Sequence, residues 1–186
     1  MIKKKKSRRA LSARDMAVFA MLGTLLFCGD LLMEWAPNIH FVGALIMVYT
    51  LVYGVRALIP TYLYILLNGV YMGFSLWWMP YLYVWLPLWG VTMLLPKGLP
   101  RRVAIPIYMG VCALHGLCFG ALYAPFQALA FGLDLRQTLA WIAAGLPFDV
   151  LHAAGNLGMG ALVVPLTHLL GRLEAASPFQ AGRSPR

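Results

Sequence analysis

The chain has 186 residues, 61% of them apolar and only 11% charged, with a formal net charge of +9. A soluble domain of this length has no way to bury so much apolar surface. The composition therefore excludes one, leaves no room for a separate soluble catalytic domain, and points to one compact unit in a membrane.

Position decides what the basic excess means. Lys3, Lys4, Lys5, Lys6, Arg8, Arg9 and Arg14 precede the first apolar run; Arg56, Lys97, Arg101 and Arg102 fall in gaps between runs; Arg172, Arg183 and Arg186 lie in the tail. Such residues flank spans and do not form a stripe on a soluble face, which argues against a nucleic-acid partner. Ser7-Arg8-Arg9-Ala10-Leu11 resembles a twin-arginine export signal. No A-x-A cleavage pattern follows Leu25, and Phe27 before Cys28 spoils a lipoprotein box, so the first run is read as a retained helix.

A span needs roughly 20 mainly apolar residues. The first candidate covers 15–32 and ends in the polar loop Glu34-Trp35-Ala36-Pro37-Asn38. The second covers 40–53 and turns at Gly54-Val55-Arg56; the third covers 57–76, with Pro60 tolerated in its first turn, and ends at Trp77-Trp78-Met79-Pro80. The fourth covers 81–95 and is broken by Pro96-Lys97-Gly98-Leu99-Pro100; the fifth covers 103–123. Residues 124–137 are less apolar and contain Pro125, Gly132 and Asp134, so they predict a break, followed by a short surface helix over 138–146. Pro147 starts or kinks a sixth span, 147–170. The expected architecture is an all-α integral membrane protein: a basic cytoplasmic segment at 1–14, six transmembrane helices within 15–170, and a cytoplasmic tail at 171–186. With both termini inside, the cytoplasmic side collects fourteen of the 15 lysines and arginines and leaves only Arg136 outside, as the positive-inside bias requires.

Polar groups inside spans each need a partner or a function. Asp30, Asn68, His115, Asp149, His152 and Asn156 are the candidates, with Glu34, Asn38 and His40 in or beside the first outer loop. Nearly all fall in the outer half. On the sixth span, which travels inward, His152 lies about 4.5 Å and Asn156 about 10 Å deeper than Asp149. Asp149, His152 and Asn156 are spaced i, i+3, i+7 and share one helix face, with Gly155 and Gly158 close by. This row admits two readings: a hydrogen-bond network that ties helices together, or one wall of a pocket open to the outside. Trp35, Trp77, Trp78, Tyr81, Tyr83 and Trp85 form either an interfacial belt or a cover for a flat ring. Gly69 and Gly73, and Gly116 and Gly120, are small pairs suited to close helix packing. Cys28, Cys112 and Cys118 all lie in apolar runs without a C-x-x-C pair and read as packing residues.

Taken together, six short spans, a basic start, Ala13-x-x-x-Ala17, Pro37-Asn38-Ile39-His40, Trp77-Trp78-Met79-Pro80-Tyr81, and Pro147-Phe148-Asp149 with His152 and Gly155-Asn156 resemble the substrate-binding S components of energy-coupling factor (ECF) transporters, bacterial vitamin importers. The resemblance covers roughly residues 11–173. It implies a multi-pass protein of the bacterial cytoplasmic membrane that captures a small water-soluble vitamin or related micronutrient near its outer face. It further implies docking, through Ala13 and Ala17, onto a transmembrane coupling protein driven by two ATPase subunits. Met21, the next position of that docking series, is large and departs from a longer small-residue stripe. Binding residues do not carry over by motif. The depth argument nominates Asp149, His152, Asn156, Asn68, Trp78, Tyr81, His115 and Asn38. No G-x-x-x-x-G-K-[ST] occurs, so uptake would be energised by another polypeptide or an ion gradient. The alternatives are an intramembrane enzyme, for which Gly73-Phe74-Ser75-Leu76 lacks the rhomboid glycine and no H-E-x-x-H is present, and a structural or assembly protein. No catalytic residue, metal or cofactor is expected.

Overall fold

The described residues, 11–36, 38–96 and 98–176 of this computed structural model, form helices and turns, with no strand among them. Most of the basic segment expected at 1–14, together with Pro37, Lys97 and the tail from 177 onward, lies outside them. The helices are α1 (Ala13–Leu32), α2 (Val42–Tyr53), α3 (Leu58–Met72), α4 (Tyr81–Val84), α5 (Leu86–Leu94), α6 (Arg101–Leu117), α7 (Phe119–Phe131), α8 (Leu135–Gly160) and α9 (Val163–Ala175).

α1 starts at a reciprocal cap: the Ser12 hydroxyl accepts from the Asp15 N–H at 3.1 Å, and the Asp15 carboxylate accepts from the Ser12 N–H at 3.0 Å. α2 is apolar on every side, which suits a helix with no solvent face. Val42, Gly43, Ala44, Ile46, Met47, Val48, Tyr49 and Thr50 are all buried, with α1, α5, α6, α8 and α9 around them. At Gly54 the backbone takes φ 62° and ψ −126°, a conformation open to glycine, and a 3-10 turn over Gly54–Ala57 leads into α3. Contacts with α1 trace the reversal. Tyr53 meets Phe19 at 5.2 Å, and Tyr49 donates to the Leu22 carbonyl at 3.1 Å, so α2 runs against α1. Arg56 then lies 3.9 Å from Asp15, Leu63 abuts Gly23 and Tyr71 meets Phe27, so α3 runs with α1.

The stretches Ala13–Leu32, Val42–Met72 and Arg101–Phe131 are long and apolar enough to cross a membrane, and the bent pair α8–α9 makes a fourth. The second of these contains the reversal at Gly54. Large apolar side chains cover the outside of the bundle, with Leu94 86%, Leu129 82% and Leu32 75% exposed. Such a surface suits hydrocarbon.

Several boundaries differ from the sequence reading. α3 stops at Met72, because Gly73 leaves helical geometry with φ 90°, and not at 76. The expected helix 81–95 is divided at Trp85 into α4 and α5. The break expected over 124–137 shrinks to a tight reversal, and Pro125 sits inside α7. Gly132, left-handed at φ 63°, ends α7 by donating its N–H to Ala128. Asp134 and Gln137 then cap α8 reciprocally at 2.7 and 2.9 Å. Pro147 neither starts nor breaks a helix: α8 continues through it from Leu135 to Gly160, so there is no separate surface helix. A proline removes one backbone donor, and neighbouring helices accommodate that loss inside an apolar bundle. The bend comes later, where α8 and α9 meet at 48°.

α6 and α8 run antiparallel and very close. Gly160 faces Met109, Asn156 faces Cys112, Gly116 faces the backbone of His152 and Ala153, and Gly120 faces Asp149. A Cβ on Gly116 would sit 3.0 Å from the Ala153 nitrogen, so the approach depends on glycine. One end of the bundle gathers charge. Arg14 pairs with Glu174 at 3.0 Å, Tyr53 donates to Glu174 at 2.8 Å, and Arg101 at the start of α6 shares a cavity with His168 of α9. Arg136, at the start of antiparallel α8, belongs to the opposite end.

Candidate functional site

Away from the charged end, two ladders of rings face each other. Trp77, Tyr81 and Trp85 are spaced i, i+4, i+8 along α4 and its flanks, and His115, Phe119 and Tyr123 repeat that spacing through the α6–α7 junction. Residues four apart lie on one helix side, so each trio forms a column. The columns meet rung by rung. Trp85 stacks on His115 at 5.4 Å, Trp85 and Phe119 approach to 5.8 Å, and Tyr81 meets Phe119 and Tyr123 at 6.5 Å. The Tyr123 hydroxyl donates to the Trp77 carbonyl, and Trp141 stacks on Tyr123.

The α1–α2 connection supplies the third side. Asn38 carries φ 62°, and Asn38 and Ile39 lie so close to Gly155 that a Cβ there would be 3.1–3.3 Å from them. Gly155 thus lets this loop rest on α8, which brings His40 to 4.7 Å from His152 and 6.3 Å from Trp85. Phe119 closes the group at 4.9 Å from His152. From α1 and α3, Asp30 accepts a 2.8 Å hydrogen bond from Tyr64, whose ring is 6.3 Å from Trp85. The Asp30 carboxylate is within electrostatic reach of His40 and Tyr81.

Within this set of touching rings, four buried nitrogens have no hydrogen-bond partner: His40 Nδ1, Trp85 Nε1, His115 Nδ1 and His152 Nε2. Their chemistry is partly fixed. His115 Nε2 is 2.8 Å from the Val84 carbonyl, which only accepts, so Nε2 carries the hydrogen and Nδ1 of the neutral ring is an acceptor. Trp85 Nε1 is a donor. The cluster therefore offers both polarities between flat apolar faces. On the flank of His115, an otherwise largely apolar cavity of about 240 Å³ lies between α5 and α6, lined by Leu88, Val91, Val111, Leu114 and Cys118 among others. Among the described residues, no three His, Cys, Asp or Glu side chains are placed to hold a metal ion.

The nominated residues divide. His115, His152 and Tyr81 lie in the cluster, and Asn38 belongs to the loop that delivers His40. Asp149 accepts both of its bonds, 3.1 and 3.2 Å, from the Gly120 N–H, and so ties α8 to the start of α7. Asn156, fully buried, donates to the Cys112 carbonyl at 3.2 Å while its Oδ1 is unpartnered. Asn68 is buried on α3 with Nδ2 unpartnered; Trp78 donates to the Ile65 carbonyl at 2.8 Å and lies over Gly69. Ala13 and Ala17 are exposed on α1, far along the chain from these groups. Trp85, Phe119, Tyr64 and His40 are the members that the nomination omits. The fourfold ring spacing through Tyr81 and His115 is the signal that reaches the first two.

No family model, no curated protein and no solved structure matches this chain, so the site is read from its own chemistry.

Proposed function

We propose that this chain is the substrate-capturing membrane subunit of an ECF-type importer. In this reading α1, α2, α3, α4–α5, α6–α7 and α8–α9 are six passes, both termini are cytoplasmic, and the ring cluster takes a small water-soluble molecule from the outer side. The observation that carries the reading is the set of four buried, unpartnered ring nitrogens on His40, Trp85, His115 and His152. Each buried polar atom without a partner costs about 1–3 kcal/mol, and four at one place is a cost that a ligand with donors and acceptors on a flat ring would offset. A vitamin-like heterocycle has that chemistry. Transport energy would come from a coupling protein and its ATPases, docked on the exposed Ala13 and Ala17 side of α1.

For two residues a second reading has its own support. The bonds from Gly120 to Asp149 and from Asn156 to Cys112 join helices directly, which suits a structural network. The test of the main reading is native mass spectrometry of the purified protein, followed by equilibrium binding of whatever it carries. One small molecule per chain is expected from the wild type and none from His152→Ala that still elutes as a folded, monodisperse species. If His152→Ala retains the same molecule with unchanged affinity, or if neither protein binds one saturably, the capture reading is wrong.

A further inference from the structure

We infer that the charged end of the bundle holds a site for the phosphate headgroup of an anionic phospholipid, between the start of α6 and the end of α9. Two adjoining cavities lie there, of about 250 and 380 Å³. They share Arg101, Val164 and His168, and the second adds Arg172. Val164, His168 and Arg172 are spaced i, i+4, i+8, one column of α9, and Arg101 faces that column from the first turn of α6. Three nitrogen-rich side chains thus converge on one groove, and no carboxylate among the described residues lines either cavity. The acid nearest in sequence, Glu174, is two residues beyond Arg172 and therefore about 200° around the helix. There it is engaged by Arg14 and Tyr53. Neither Arg101 nor Arg172 makes an ion pair among the described residues, so both guanidinium groups are available for a phosphate, which they bind in paired hydrogen bonds. Thr167, whose buried hydroxyl has no partner, adds a further polar group to the lining.

The neighbourhood selects a lipid over a soluble anion. Val103, Leu162, Leu169 and Leu173 are exposed beside the basic groups, and Leu169 itself lines the groove. An amphiphile would lay its chains on these residues while its headgroup meets the arginines, the arrangement seen where basic pockets between spans retain anionic lipids. The inference rests on the membrane reading alone; it does not depend on what the ring cluster binds.

The experiment uses the full chain in detergent, titrated with dioctanoyl phosphatidylglycerol and followed by native mass spectrometry, with dioctanoyl phosphatidylcholine and inorganic phosphate as separate arms. Phosphatidylglycerol is expected to bind at one site per chain, phosphatidylcholine at least about tenfold more weakly, and millimolar phosphate should not displace the lipid. Arg101→Gln/Arg172→Gln should lose tenfold or more in phosphatidylglycerol affinity, as expected for removing charged hydrogen bonds. Arg101→Lys/Arg172→Lys, which keeps the charge but not the paired hydrogen bonds, should lose less than the glutamine pair. Equal binding of the two lipids overturns the inference, as does displacement by phosphate alone or an equal loss in the lysine pair. Should the glutamine pair not fold, Arg172→Gln, exposed at the helix end, gives the same reading on its own.

Discussion

At the scale of single residues, the row Asp149, His152 and Asn156 separates into different tasks although all three share one face of α8. Asp149 has both carboxylate oxygens on one backbone N–H, His152 packs against the rings of His40 and Phe119, and Asn156 has one satisfied and one open group. Asp149→Asn keeps an acceptor for the Gly120 N–H and loses the charge, so it should lower stability by about 1 kcal/mol, the difference between a charged and a neutral hydrogen bond, with ligand affinity unchanged. His152→Ala should do the reverse, weakening binding at least about tenfold while the melting temperature moves little. Measuring both quantities on both variants decides the assignment; a tenfold loss of affinity in Asp149→Asn at constant melting temperature would return that carboxylate to the ligand. Sequence spacing brought these residues to one face, but it carries no information on which backbone group lies opposite. Gly120 is the determinant, because only a residue without a side chain leaves space for the carboxylate.

At the scale of elements, α1 has two opposite faces. Phe19, Leu22, Gly23 and Leu26 are buried, while Ala13, Ala17, Ala20, Thr24 and Cys28 are exposed. At 100° per residue the exposed small residues fall in one narrow sector, so the row that Met21 interrupts at strict fourfold spacing continues through Ala20 and Thr24. Replacing Ala17 with Trp should abolish co-purification with a coupling partner and leave ligand binding by the isolated chain intact; normal uptake with the bulky residue would rule out docking there. Helix α1 was legible from its apolar run after the basic start, and α2 because Gly54 follows it. The course of α8 was not, since Pro147 has the form of a breaker but lies inside the helix, while the real bend falls at Ala161 and Leu162, between Gly160 and Pro165. The neighbours of α8 are tertiary: α6 lies antiparallel against it from Met109 to Gly116 and α7 continues the contact at Gly120, packing that no local propensity reveals.

At the scale of the molecule, charge is segregated. Arg14, Arg56, Arg101 and Arg172 share one end and Arg136 belongs to the other, an asymmetry that fixes orientation if the basic end faces the cytoplasm. In a background without Cys28, Cys112 and Cys118, Arg136→Cys should react with an impermeant thiol reagent on intact cells and Arg102→Cys should not. Labelling of Arg102→Cys alone would invert the topology, and labelling of both variants from outside would remove the six-pass reading. The ion pair between Arg14 and Glu174 spans 160 positions, and α2 owes much of its enclosure to α8 and α9, made some hundred residues later. The first helices to leave the ribosome therefore wait in lipid for most of synthesis before their last neighbours arrive. A helix that is apolar all round, as α2 is, waits there without harm, since lipid and protein neighbours satisfy it almost equally well. Two of the buried polar groups are placed at the other end of the timetable. Asp149 and Asn156 enter on α8, and the N–H of Gly120 and the carbonyl of Cys112 that they bond belong to the hairpin arm made immediately before, so these two polar side chains are born next to their partners.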